Sequence, residues 1–212
     1  MKDSTKFIRD KTNFTTSKIE SISNTLTPYI FEERDTRGVR MSVMDRLMME
    51  RIIWIGGPIN EDISRYVQAQ LMYLDSTSKE DITLHIDTPG GCVKSGLSII
   101  DIMNYISSDI ITVNTGQAAS MGAVILGAGK KGYRKSLKHS RVMMHQSSGG
   151  AGGNYQDAEI TFKQWSRYNE TLITLLAEYT EKTTEQIKND SSRDFWLWSE
   201  EALEYKIIDE II

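Results

Sequence analysis

Cysteine is nearly absent: Cys92 is the only one in 212 residues. A single thiol excludes a disulfide framework within the chain and leaves no cysteine cluster for zinc, so no metal centre is expected. Such usage suits a reducing cytosol, and a cytoplasmic location is expected. Histidine and proline are scarce as well, with three of each (His85, His139, His145; Pro28, Pro58, Pro89). Chemistry that needs an imidazole therefore has three places to sit. Basic excess is lacking: 25 Lys and Arg stand against 29 Asp and Glu, a formal charge of −4. Nucleic acid is held mainly by cationic side chains on its phosphates, so it is not an expected partner. No apolar run approaches the roughly 20 residues that cross a bilayer, and no membrane partner is expected.

What remains is the make-up of an ordinary globular protein, 39% hydrophobic and 25% charged, long enough for one large domain or two small ones. Residues 1–26 carry Lys2, Lys6, Arg9, Lys11 and Lys18 but no apolar block of the kind a secretory signal needs. Their Ser, Thr and Asn content reads as a mobile N-terminal leader or propeptide. The folded domain is expected over 27–212.

Within that domain, strands and helices alternate. Arg51-Ile52-Ile53-Trp54-Ile55 is a β-branched run stopped by Gly56-Gly57-Pro58, hence a buried strand. Asn60 can cap a helix whose Ile63, Val67, Leu71 and Leu74 recur at helical spacing. Residues 82–86 form a second strand, and a helix follows with Val93, Leu97, Ile100 and Tyr105 among its apolar positions. Residues 110–113 form a third strand, 120–127 a small-residue helix, and 142–144 a further strand. Strand–helix–strand units of about 30 residues imply an α/β fold with a largely parallel sheet. Beyond it, a glycine-rich segment from Ser147 to Gly153 leads into a long helix over 157–179. That pair reads as a projecting element whose apolar face meets a neighbouring subunit; packing on its own domain is the plainer alternative.

In such folds ligands gather at the carboxyl ends of strands. Ser120 falls there among Gly116, Ala118, Ala119, Gly122 and Ala123, small residues that let a substrate backbone approach. Free N–H groups at the helix start favour developing negative charge. A simple N-cap serine is the plainer reading of Ser120 taken alone. Asp87-Thr88-Pro89-Gly90-Gly91 ends a strand with two glycines, a way to present backbone N–H groups to an oxyanion. A serine nucleophile needs a base, most often histidine. His85 lies inside a strand and His139 in a charged turn, whereas His145 ends a strand at the same sheet edge as Ser120. Elimination makes His145 the base. The acid that orients it is left open between Asp190 and Asp194. Cys92 reads as a small buried hydrophobe.

Residues 116–123 (Gly-Gln-Ala-Ala-Ser-Met-Gly-Ala), 140–146 (Ser-Arg-Val-Met-Met-His-Gln) and 193–195 (Arg-Asp-Phe) together resemble the three active-site blocks of the Clp protease proteolytic subunit family. The resemblance runs from about Tyr29 to Ile212. It implies a crotonase-like fold, a spiral of ββα units with a projecting strand–helix handle. It also implies a homo-oligomer of heptameric rings stacked in pairs (a tetradecamer) around a closed chamber. Carried over position by position, it implies Ser120 as nucleophile, His145 as general base and Asp194, not Asp190, as orienting acid. The oxyanion hole would come from the backbone N–H groups of Gly91 and Met121. The implied activity is serine endopeptidase cleavage of unfolded proteins and peptides, needing no cofactor and fed by an ATP-driven AAA+ unfoldase.

Departures from the family pattern qualify this. Asp87-Thr88 stands where Asn-Ser is common, bringing a negative charge towards the site. Ser147 follows His145-Gln146 where proline is usual, and Gly149, Gly150, Gly152 and Gly153 predict a mobile arm with a weaker ring–ring contact. Thr83 and His85 replace tyrosines that often line the unfoldase-docking pocket, with Tyr105 nearby, so altered or reduced docking is expected. An alternative is a weakly active or non-catalytic ring subunit, a scaffold in a mixed assembly with a paralogue. An acyl-CoA-processing crotonase would share the fold without needing the triad.

Overall fold

Residues 29–34, 37–149 and 152–212 are described by the computed structural model; the expected leader, 1–26, lies outside them. The chain divides into two units, 1–49 and 50–212. In the first, β1 (Tyr29–Arg34) and β2 (Arg37–Ser42) form an antiparallel hairpin leading into α1 (Val43–Met49). Ser42 and Asp45 cap that helix reciprocally: the Asp45 N–H donates to the Ser42 hydroxyl (3.0 Å) and the Ser42 N–H to the Asp45 carboxylate (3.2 Å).

The second unit holds the expected alternation: β3 (Ile52–Gly56), α2 (Glu61–Thr77), β4 (Ile82–Thr88), α3 (Val93–Tyr105), β5 (Ile110–Ala119) and α4 (Met121–Gly127). Strands β6 (Arg134–Ser136) and β7 (Arg141–Met144) follow. The long helix α5 (Tyr155–Thr180) leads to α6 (Thr184–Asp190), β8 (Phe195–Trp198), α7 (Ser199–Glu204) and β9 (Glu210–Ile211). Strands β3, β4, β5, β6 and β9 lie side by side in that order and in parallel. Asn60 caps α2 as expected, its side chain accepting the Ile63 N–H at 2.9 Å. Val67, Leu71 and Leu74 are buried beneath that helix, and Ile53, Ile55, Leu84 and Ile86 fill the sheet's core.

Helix α3 forms where expected and buries Ser95, Gly96, Ile99, Ile100 and Met103, while Tyr105 is 78% exposed. The face is chosen by a small residue rather than by apolar count: a Cβ on Gly96 would sit 2.2 Å from the Met121 side chain. Cys92 is exposed rather than buried, because it caps α3 from outside, its N–H bound to the Ile59 carbonyl at 2.9 Å.

Strand β5 also runs six residues past Val113, and the reason matters for the site. Ile86 pairs with Asn114 but Thr88 with Ala118, so Thr115, Gly116 and Gln117 bulge opposite Asp87. The Asp87 carboxylate holds this bulge by accepting the Gln117 N–H at 3.1 Å. Before the bulge β5 pairs with β6; after it, β5 pairs with β7. The bulge thus swings the end of β5 onto a new partner. Helix α5 buries only its C-terminal half (Leu172, Leu176, Ala177, Thr180), while Tyr155, Ile160 and Phe162 on its first turns are exposed.

Candidate active site

Strand register alone brings three distant residues together. Ala119 pairs with Met143 in the parallel β5–β7 ladder, and Met144 pairs with Phe195 in the antiparallel β7–β8 ladder. Ser120 therefore leaves β5 beside the end of β7, His145 leaves β7, and Asp194 enters β8 at the same edge. The Ser120 Oγ lies 2.9 Å from His145 Nε2. On the other side of the ring, His145 Nδ1 lies 3.4 Å from Asp194 Oδ1, a charge-pair distance longer than an ordinary N–H···O hydrogen bond. The histidine side chain is 24% exposed and the aspartate 63%, so the carboxylate stands at the rim of the site. Asp190 is elsewhere: it ends α6 and accepts the Tyr205 hydroxyl at 2.7 Å.

The N-cap reading of Ser120 is not what the backbone adopts. Its side chain makes no capping bond, and its φ of 54° and ψ of −120° place it in a region costly for a residue with a Cβ, on the order of 1–3 kcal/mol. The Ser120 N–H is tied to the Met143 carbonyl at 2.8 Å, so the strained turn is held by β7. Such a strand-to-helix turn projects the hydroxyl outward instead of folding it back on its own helix.

Next to it, two glycines are required by space as well as by conformation. At Gly90 (φ 91°) a Cβ would fall 2.6 Å from the Ala119 carbonyl oxygen and 2.7 Å from the Ser120 Cβ; at Gly91 (φ 149°) it would fall 2.2 Å from the Ile59 oxygen. The Gly90 carbonyl accepts the Ile59 N–H and the Cys92 N–H donates to the Ile59 carbonyl, which leaves the Gly91 N–H outside that bridge. Met121 opens α4, where a helix has no intrahelical acceptor for its first N–H groups. Gly91, Ser120, Met121 and His145 line one cavity of about 60 Å³, whose remaining wall is apolar: Val93, Val124, Met144, Leu172 and Leu176, with Ser147 and Ser148 at its edge. Among the described residues no group of three or more His, Cys, Asp or Glu is arranged to hold a metal ion.

A family model described as Clp protease matches residues 34–212. The chain belongs to the Clp protease family. Among its relatives, the ATP-dependent Clp protease proteolytic subunit of Bacteroides fragilis is 45% identical over 195 residues, 92% of this chain and 94% of that protein. The protein of the same name from Bacteroides thetaiotaomicron is also 45% identical, over 92% of this chain and 89% of its own length. That from Porphyromonas gingivalis is 44% identical over 191 residues, 90% of this chain and 86% of its own.

Within this Clp family chain, sequence reasoning missed the parts that brace the site. Thr88 is one: its hydroxyl donates to the Gly57 carbonyl at 2.6 Å and accepts the Gly90 N–H at 3.1 Å, fixing the glycine pair from below. Asn169, Leu172 and Leu176 are others, and their spacing of three and seven along α5 was the available signal. The arm after His145 is also held at its root, where the Gln146 N–H donates to the Ser191 carbonyl at 2.8 Å and Gly149 sits against the Trp165 ring. Gly150 and Ala151 lie outside the described residues. No described helix is long and apolar enough to cross a membrane.

Proposed function

We propose that this chain is the proteolytic subunit of an ATP-dependent Clp protease, a serine endopeptidase that hydrolyses peptide bonds of unfolded proteins. The observation that carries the reading is the 2.9 Å contact between the Ser120 Oγ and His145 Nε2 at a strained strand-to-helix turn. Kinship with the Bacteroides and Porphyromonas subunits, along nearly the whole of each chain, supports it.

In this mechanism His145 takes the Ser120 proton as the hydroxyl oxygen attacks the peptide carbonyl, forming a tetrahedral adduct. The Gly91 and Met121 N–H groups face the oxyanion, and each such donor is worth roughly 10²–10³ in rate. His145 then gives the proton to the departing amine. Water, deprotonated in turn by His145, releases the acyl group and restores Ser120. Asp194 orients the imidazole and balances its positive charge. The apolar cavity beside Ser120 accepts a small or medium apolar side chain next to the scissile bond.

The fold is read as the crotonase-like spiral with α5 as its handle, and the assembly as paired heptameric rings enclosing the sites. The exposed Tyr155, Ile160 and Phe162 on the handle supply apolar surface for that pairing. ATP enters through a partner, an AAA+ unfoldase. Its docking surface is altered rather than stripped of aromatics: Trp54 and His85 stack with ring centres 5.1 Å apart and planes 8° from parallel, and Tyr105 stands exposed on α3. A non-catalytic scaffold subunit would have no use for a serine held at positive φ against an imidazole.

A serine-directed fluorophosphonate tests the enzyme reading: the assembled protein is expected to be labelled at Ser120, and an unlabelled assembly would favour the scaffold. The choice of acid has its own test. Asp194→Asn is expected to lower kcat by about 10²–10⁴, since a triad carboxylate holds the tautomer of the base. Asp190→Asn, at a carboxylate that accepts the Tyr205 hydroxyl, is expected to leave kcat within about twofold and to lower stability by about 1 kcal/mol. The reverse ranking in a peptide-cleavage assay would exchange their roles.

A further inference from the structure

After His145 the chain runs past the cleft as Gln146-Ser147-Ser148-Gly149, and Ser147 and Ser148 line the cavity beside Ser120. A side chain holds Ser147 there. The Asn169 Oδ1, on α5, accepts the Ser147 N–H at 3.2 Å and lies 3.4 Å from the Ser147 hydroxyl, which also donates to it. Asn169 shares a helix face with Leu172 and Leu176, three and seven residues on, and both leucines are part of the cavity wall. One face of α5 therefore walls the apolar cavity and grips the adjoining segment.

We infer that Asn169 is a positioning residue for substrate binding, an inference that rests on the peptidase reading. Successive N–H groups along an extended chain point to opposite sides. Drawing the Ser147 N–H towards α5 turns the next N–H, that of Ser148, to the opposite side, towards the cleft, where the main chain of an extended substrate pairs with it. A glycine, Gly149, follows Ser148 and adds no side-chain stiffness of its own. Ser147 offers an N–H that a proline at this position would lack, and that N–H is the atom Asn169 holds. The grip acts on where the substrate lies, not on the serine or the imidazole.

The test is steady-state cleavage of an unstructured fluorogenic peptide by the assembled protein, paired with fluorophosphonate labelling. Asn169→Ala is expected to raise KM about tenfold with kcat within about twofold, through the loss of the two bonds that hold Ser147 at a binding element. Asn169→Asp keeps an acceptor oxygen and is expected to bring KM back to within about threefold of the unaltered protein. Labelling of Ser120 needs no substrate main chain and is expected to proceed at the original rate in both variants. An unchanged KM in Asn169→Ala overturns the inference. So does an equal KM defect in Asn169→Asp, or a joint fall of kcat and labelling, which would mark a structural role only. If the unaltered protein neither cleaves nor labels, the peptidase reading falls first, and the substrate role of Asn169 falls with it.

Discussion

Ser120→Ala is expected to abolish peptide cleavage, lowering kcat by about 10⁴–10⁶, while leaving the fold in place. The size follows from how such a site works: nucleophile, base and oxyanion donors act as one unit, so losing the attacking oxygen forfeits nearly all of the joint advantage. What is expected to remain is the weak assistance that the proposed oxyanion donors, the Gly91 and Met121 amides, give to direct attack by water. The expected stability is close to unaltered for reasons specific to this serine. Its hydroxyl contacts His145 and caps nothing, and its structural bonds, the N–H to Met143 and the carbonyl that accepts the Ala123 N–H, belong to the backbone. Alanine carries the same Cβ into the same positive φ, so the strain is neither relieved nor increased. Thermal unfolding and particle size, measured beside cleavage and labelling, separate a chemical loss from a structural one. More than about one per cent residual kcat in a folded Ser120→Ala assembly would remove Ser120 from the nucleophile's role.

Much of this arrangement is legible in the chain, and the rest fails for identifiable reasons. Strands β3 and β4 and helix α2 follow from β-branched runs, an Asn cap and a 3.6-residue apolar period, all local signals. Ser120 and His145 were reachable because histidine is scarce and both residues lie at strand ends. Asp194 was not separable from Asp190 by spacing, because the choice is made by the antiparallel register of β8 on β7, a long-range pairing. The alternation in Phe195-Trp196-Leu197-Trp198, with Leu197 buried between exposed tryptophans, was the strand signal that would have placed Asp194 at a sheet edge. The extension of β5 was hidden because Gly116 and Gln117 look like a turn; they are a bulge held by Asp87, a contact no local pattern reports. The part of α3's buried face formed by Gly96 is not legible in an apolar period, because a glycine that admits the Met121 side chain does not register in one.

Outside the active site, the largest expected effect on stability is at Asp209. Arg134 is 3% exposed and its guanidinium makes two bonds to that carboxylate, Nε to Oδ2 at 2.8 Å and Nη2 to Oδ1 at 2.5 Å. The same carboxylate accepts the Gly132 and Arg134 N–H groups at 2.8 and 3.0 Å. Through these bonds, residues 75 apart in sequence are joined, and the final strand β9 is seated on β6. Asp209→Ala would leave a buried cation whose remaining partner is the Tyr179 carbonyl, at a cost of about 3–5 kcal/mol, or a Tm lower by roughly 6–20 °C. Replacing both partners, Arg134→Met with Asp209→Leu, is expected to recover only part of that loss: no uncompensated charge remains, but the Gly132 and Arg134 N–H groups lose their acceptor. The pH dependence has a definite sign. Burial alone would raise the Asp209 pKa, but the Arg134 guanidinium and the two N–H groups outweigh it and hold the group below its ordinary value of 3.8. A depressed carboxylate contributes stability above its unfolded pKa and loses it as pH falls through the folded one. The gap in Tm between the original protein and Asp209→Ala should therefore be full at neutral pH and narrow below about pH 4. A gap that is already small at pH 7, or that widens on acidification, would mean that the ion pair does not seat the C-terminal strand.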